Sequence, residues 1–260
     1  FCSNAQACNW GCRYFIQCTK MNLRHTFFVF AISICSVIPL QAQLDKIENL
    51  KEDDSKRMRF GYFLGLNAVG AKMEYRPTYV NTPFRISVKP KPSFDVGLLA
   101  DYRINEFLNI RFHPSVAFVE REITFPFSEN DSRFTKALIE RLVKSNYVRF
   151  PVGIKLNTRR IRNARPFVMG SISYNMNITS EETNSEDNSS GTFRMKRDVY
   201  AWEFAVGTDV YLPYFKFTTS VHGFFAISDE FVPDENLNSV YTRHIASMKS
   251  RGVFLRFTFE

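Results

Sequence analysis

Residues Arg251 to Glu260 read R-G-V-F-L-R-F-T-F-E. Val253, Leu255, Phe257 and Phe259 occupy one face of an extended strand, while Gly252, Phe254, Arg256, Thr258 and Glu260 occupy the other. Alternation with period two is the signature of a strand whose two faces meet different surroundings. An aromatic and aliphatic face backed by one that carries Arg256 and Glu260 suits the closing strand of a transmembrane β-barrel, with hydrocarbon outside and a small wet core inside. That reading makes three demands on the remaining sequence: an even number of such strands, short turns alternating with long connections, and an export signal.

Seven further segments show the same alternation. Phe60 to Val69 puts Phe60, Tyr62, Leu64, Leu66 and Ala68 on one face. Phe94 to Ile104 sends Val96, Leu98, Ala100, Tyr102 and Ile104 outward and Asp95, Gly97, Asp101 and Arg103 inward. A third strand starts near Phe107, with Leu108, Ile110, Phe112, Val116 and Phe118 opposite Asn109, Arg111, His113, Ser115 and Ala117. In N-Y-V-R-F-P-V-G-I-K-L-N, Asn146 to Asn157, the face of Val148, Phe150, Val152, Ile154 and Leu156 opposes Arg149, Gly153 and Lys155. Pro166 to Ile178, Asp198 to Leu212 (Glu203 and Asp209 inward) and Phe215 to Phe225 (Lys216, Ser220 and His222 inward) complete a set of eight.

Three links between these strands are short: Asn105–Glu106, T-R-R-I-R-N-A after Asn157, and Pro213–Tyr214. Four are long. The first, Gly70 to Ser93, holds Pro77, Pro83, Pro90 and Pro92, a density that excludes a central strand. The second, about Thr124 to Ser145, places Phe134, Leu138 and Leu142 at fourfold spacing, which predicts a short amphipathic helix in a loop and a candidate partner-contact surface. The third is the acidic run T-S-E-E-T-N-S-E-D-N-S-S-G, and the fourth is Ser228 to Lys249. Short and long connections alternate strictly, so the expected fold is all-β: an eight-stranded antiparallel up-and-down transmembrane β-barrel over residues 60–260, with both termini and the short turns periplasmic. A soluble sandwich or lipocalin-like barrel also alternates. Those folds bury the apolar face and do not set Asp101, Arg103, Arg111, Arg149, Lys155, Glu203 and Asp209 together on the opposite one.

The third demand is met between Met21 and Ala42. A basic start, M-N-L-R-H, leads into T-F-F-V-F-A-I-S-I-C-S-V-I-P-L and then Q-A-Q, the organisation of a secretory signal with cleavage after Ala42. Residues 1–20, with Cys2, Cys8, Cys12 and Cys18 at irregular gaps and no histidine, read as translated sequence upstream of the start rather than as a metal site. Cys35 lies in the signal, so the chain from Gln43 has no cysteine and no thiol chemistry. Gln43 to Arg59, with K-E-D-D-S-K-R at its centre, is expected to be a solvated periplasmic lead-in. Composition agrees with the barrel: 27 phenylalanines and 11 tyrosines suit a membrane girdle. No apolar run of spanning-helix length follows residue 42. The net charge of +8 raises nucleic-acid binding, but the basic residues are spread over strands and loops of an exported chain, so no nucleic-acid partner is expected.

An eight-stranded barrel leaves an interior only wide enough to be filled by side chains. The inward charges, Asp101, Arg103, Arg111, Arg149, Lys155, Glu203, Asp209 and Arg256, are therefore expected to pair across strands as a structural network, because unpaired charges there are very costly. His113 and His222 also point inward and are read as members of that network. Asp229, Glu230, Asp234, Glu235 and Asn236 offer oxygen ligands to a hard cation at a spacing that matches no calcium loop, so a solvated acidic loop is expected. There is no G-x-S-x-G, H-E-x-x-H or phosphate-binding glycine loop; neither a catalytic residue nor a cofactor is expected.

N-Y-V-R-F-P-V-G-I-K-L-N, R-P-F-V-M-G-S-I-S-Y-N, the run from Asp198 through V-H-G-F-F-A-I-S-D-E-F-V-P-D, and R-G-V-F-L-R-F-T-F-E together resemble the PorT family of outer-membrane barrels from Bacteroidetes. The likeness covers about Met58 to Glu260. It implies a non-enzymatic part in the type IX secretion machinery, which exports proteins bearing a carboxyl-terminal sorting domain and, in gliding relatives, supports surface motility. The partners it implies are other secretion-machinery proteins of the envelope, met through loops, turns or the lipid-facing wall. A loop-mediated adhesin or ligand-binding barrel is the alternative, motivated by the basic, proline-rich first loop and by Phe134 to Leu142.

Overall fold

The computed structural model describes residues 49–50, 56–76, 85–126, 139–180, 194–233 and 244–260. The signal, the upstream residues, Phe134 and Leu138 lie outside them. The chain divides into Phe1–Ile47 and Glu48–Glu260, and the second unit holds all nine named strands. These are β1 (Met58–Tyr75), β2 (Ser87–Arg103), β3 (Leu108–Phe112), β4 (Ser115–Thr124), β5 (Glu140–Asn157), β6 (Ala164–Asn177), β7 (Asp198–Tyr211), β8 (Lys216–Ala226) and β9 (Ile245–Phe259).

All pairings are antiparallel, and β9 returns to β1, closing the sheet into a ring. β3 and β4 are two halves of one staff. Both pair with β2 on one side and β5 on the other, and the ladder breaks at His113–Pro114, where proline offers no N–H. The break keeps alternation in phase, because His113 and Ser115 are both buried. The barrel is thus eight-stranded, and with its short links at 104–107, 158–163 and 212–215 it carries both ends of the ring at the short-turn end. Asn105 Oδ1 ties its turn by accepting from the N–H groups of Phe107 (2.8 Å) and Leu108 (2.7 Å). Asn49 of the lead-in docks on this end, its N–H donating to Asn163 Oδ1 at 3.0 Å.

The outward face bears two aromatic belts. Near the short turns Tyr62 stacks on Phe259 at 5.4 Å and Phe217 lies 6.2 Å from Phe257. Towards the long connections Phe94 meets Phe118 at 4.5 Å, Phe150 meets Tyr174 at 6.4 Å, and Trp202 stacks on Phe225 at 4.5 Å. Between the belts the outward residues are mostly aliphatic and open, among them Leu64 (52% exposed), Val152, Ile154, Ile172 (69%) and Val253, with Phe204 also on this face. Apolar bands of this kind flanked by aromatic girdles face lipid.

Above the upper belt the two faces exchange character. On β4 the outward sequence Val116, Phe118 continues as Glu120 and Glu122, which reach Lys144 (3.4 Å) and Lys91 (2.8 Å). On the inward side Ile86, Ile123, Phe125, Met195, Phe231, Ile245 and Met248 make an apolar core. The sheet therefore leaves hydrocarbon at about Phe118 and rises into water as an ordinary globular cap.

Two expectations are corrected here. β2 starts at Ser87 and so contains Pro90 and Pro92, within the stretch the proline density excludes from a strand. Pro90 lies beyond the last β1–β2 pair, and Pro92 falls where the β2–β4 register shifts. The β1–β2 register ends at Ala68↔Pro92, and the β2–β4 register shifts between Lys91 and Asp95, which is the bulge proline tolerates. Leu142 is not on a loop helix: β5 begins at Glu140, and Leu142 is an outward strand residue paired with Glu122. Cross-strand pairing with β4 overrides the fourfold pattern.

Candidate functional site

Inward side chains of the strands converge in the lumen in two charged tiers. In the lower tier Arg111 donates to Asp101 Oδ2 (Nη2 at 2.7 Å, Nε at 2.9 Å) and to Glu260 Oε1 at 3.0 Å. Lys216 Nζ donates to Glu260 Oε2 at 2.5 Å and lies 3.7 Å from Asp209. Lys155 Nζ donates to both Asp209 oxygens at 2.6 and 2.9 Å, and Thr218 adds a hydroxyl donor to Asp209 at 2.8 Å. Asn109 donates to Asp101 and accepts from Asn157. Three cations thus meet three carboxylates, and Lys155 is completely buried.

In the upper tier Arg149 Nη2 donates to Glu203 Oε1 and Arg149 Nε to Asn175 Oδ1 at 2.9 Å. Arg256 Nε donates to Asp95 Oδ2 at 2.9 Å. Aromatic faces replace water around both guanidinium groups: Phe254 lies 4.3 Å from Arg149 and 5.2 Å from Arg256, and Phe63 lies 4.7 Å from Arg256. Gly65 is required here, because a Cβ on it would collide with Asp95 Oδ1 and dislodge the carboxylate from Arg256. His113 and His222 face each other in this tier with ring centroids 6.0 Å apart.

A third polar cluster closes the mouth. The connection after β8 turns inward, and Phe231 forms an isolated bridge with Met195. Glu230 is fully buried there; its carboxylate accepts from Ser250 N–H (3.0 Å), Ser250 Oγ (2.8 Å) and the Tyr147 hydroxyl (3.4 Å). Arg121 spans the same group, donating to Ser250 Oγ at 3.0 Å and Tyr147 Oη at 3.2 Å. Burial pushes the Glu230 carboxyl above its ordinary value. Asp229 Oδ1 accepts from the N–H groups of Met248 (2.8 Å) and Phe231 (3.2 Å). The expected solvated acidic loop is therefore corrected for Asp229 and Glu230, which fasten the loop; Asp234, Glu235 and Asn236 lie outside the described residues.

Of the eight predicted network residues, the structure brings Asp101, Arg111, Arg149, Lys155, Glu203, Asp209 and Arg256 into the lumen. Arg103 stays out. It stands at the very end of β2, half-buried, and its Nε donates to the carbonyl of Asn105 in its own turn at 3.2 Å. Asp95, Lys216 and Glu260 complete the pairs and are missing from the predicted network, although alternation already places each on an inward face. The lumen described is filled with paired charges and aromatic rings, which makes it a packed core rather than a conduit.

A family model for the "Outer membrane protein beta-barrel domain" matches residues 41–232. Similar solved structures include the outer membrane protein OprG from Pseudomonas aeruginosa, 11% identical, covering 76% of this chain and 94% of that one with a TM-score of 0.40. Neisserial surface protein A is 9% identical over 78% of this chain and 98% of its own, with a TM-score of 0.38. Ail, the attachment invasion locus protein of Yersinia pestis, solved with the heparin analogue sucrose octasulfate, is 12% identical over 78% and 99%, with a TM-score of 0.36. No curated protein matches the chain.

Proposed function

Because the chain belongs to the outer membrane protein beta-barrel domain family, we propose that it serves as a non-enzymatic component of the type IX protein secretion machinery, working by contact with other envelope proteins. Its place is integral to the outer membrane, with lipid against the outward wall. The observation that supports the contact mechanism is the filled lumen, in which Arg149, Arg256, Lys155 and Lys216 are all buried in ion pairs, as an eight-stranded barrel packed with side chains requires. The choice of secretion system rests on the resemblance of the β5, β6, β8 and β9 sequences to PorT barrels. In this reading the short-turn end and both termini face the periplasm, and gliding is supported where the organism glides.

Deleting the gene is expected to trap proteins that carry the sorting domain inside the cell, seen as their loss from the culture medium. Normal export in the deletion strain would contradict the proposal. A second reading, a loop-mediated adhesin, is favoured by the polar cap, whose outward Lys91–Glu122 and Lys144–Glu120 pairs stand clear of the aromatic belt. Removing residues 77–84 would then abolish surface binding while export stays intact.

A further inference from the structure

The polar atoms of the upper tier do not all find partners. His113 is 2% exposed, and neither of its ring nitrogens has a hydrogen-bond partner. Nδ1 of His222 and Oε2 of Glu203 are buried and also without one. Leaving such groups unpaired in a low-dielectric interior is costly. These orphans are not scattered. One atom each from His113, Glu203 and His222 lies within 4.8 Å of the others, and His222 Nδ1 stands 3.9 Å from Glu203 Oε2.

The fold explains the meeting. Glu203 and His222 lie on neighbouring strands two positions apart, since Ala205 pairs with His222. His113 reaches them from the opposite wall, at the interruption between β3 and β4 made by Pro114. We propose that His113, Glu203 and His222 bind a divalent transition-metal ion of the zinc class in the barrel lumen, independently of the secretion role. Two imidazoles and one carboxylate are a donor set that zinc and its neighbours take, whereas calcium and magnesium demand oxygen.

The surroundings fit this chemistry. His222 Nε2 is 3.0 Å from Ser220 Oγ, which leaves Nδ1 as the nitrogen that faces Glu203. Glu203 Oε1 is held by Arg149, so Oε2 is the free ligand atom. Tetrahedral zinc sets its ligand atoms about 3.3 Å apart, so closing the cluster takes side-chain shifts of about 1 Å. Asp95 and Glu203 already balance Arg149 and Arg256, so an added dication would leave this tier positive, and a hydroxide as fourth ligand would offset half of that added charge. Arg256 Nη1 has no hydrogen-bond partner and stands 4.0 Å from Glu203 Oε2, so a donor borders the cluster where such an anion would be needed.

The test is refolding of the full barrel from denaturant into detergent with Zn²⁺, with Co²⁺, or with a chelator. Expected are one Zn²⁺ per chain after desalting, a higher melting temperature than the chelator sample, and a tetrahedral Co²⁺ absorption band in the visible. His113→Gln and His222→Gln, checked as folded by heat-modifiable gel mobility, are expected to retain less than a tenth of the metal, while His244→Gln keeps it all. Wild-type barrel refolded with Zn²⁺ that retains no stoichiometric metal after desalting, or a folded His113→Gln/His222→Gln double variant that binds as much as wild type, would overturn the site. If the glutamine variants do not fold, the wild-type Co²⁺ spectrum decides alone: a tetrahedral band supports the site and its absence overturns it.

Discussion

Lys155 shows what a single residue must do inside this barrel. Its ammonium is fully buried, and Asp209 holds it through two hydrogen bonds. Among the described residues, removing Lys155 leaves Asp209 only Lys216 at 3.7 Å and the Thr218 hydroxyl, and breaking a buried pair costs up to about 3–5 kcal/mol. Lys155→Met is therefore expected to lower unfolding stability in lipid vesicles by about that amount. The double variant Lys155→Met/Asp209→Leu should recover at least half of it, because no charge is then left alone and Lys216 keeps Glu260. Equal stability of the single variant and wild type in urea titration would contradict the pairing. Much of this tier is legible in the sequence, since period two alone sends Asp101, Arg111, Lys155 and Asp209 inward. Alternation assigns a face but neither a height nor a partner. Arg103, on the correct side yet at the strand end, therefore turns to its own backbone, and Lys216 and Glu260 join a network the sequence does not connect to them.

At the scale of the element, the strand count and the alternation of short and long connections are readable because each membrane strand sits between two solvents. Where the sheet rises beyond the upper belt that rule fails. There Glu120 and Glu122 face outward while Ile123 and Phe125 face inward, so an outward-apolar pattern ends the strands too early. For the same reason the proline-bearing start of β2 and Leu142 of β5 read as loop and helix. The inward-turned segment around Glu230 is likewise invisible to composition, because an acidic run looks solvated until its partners are known. Its pH dependence has a definite sign. Burial raises the Glu230 carboxyl above 4.5, so the folded state favours the neutral acid. The stabilisation is complete below that ordinary value and declines as pH rises through the raised one. Glu230→Gln is expected to flatten this profile and to slow amide exchange of residues 227–233 at neutral pH. Unchanged pH dependence of exchange in the variant would contradict the latch.

For the whole molecule the central claim is that one sheet separates hydrocarbon from a charged core. Two aromatic belts, an aliphatic band between them, and paired charges behind both follow from that single arrangement, and so does the exchange of faces in the cap. Trp202 is the one tryptophan after residue 42, and it lies on the outward face of β7 stacked on Phe225. The most direct measurement is its fluorescence with the barrel reconstituted in bilayers of lipids brominated along the acyl chain. The expected result is blue-shifted emission that the brominated chains quench and aqueous iodide does not. Red-shifted emission quenched by iodide and indifferent to bromine would contradict the account.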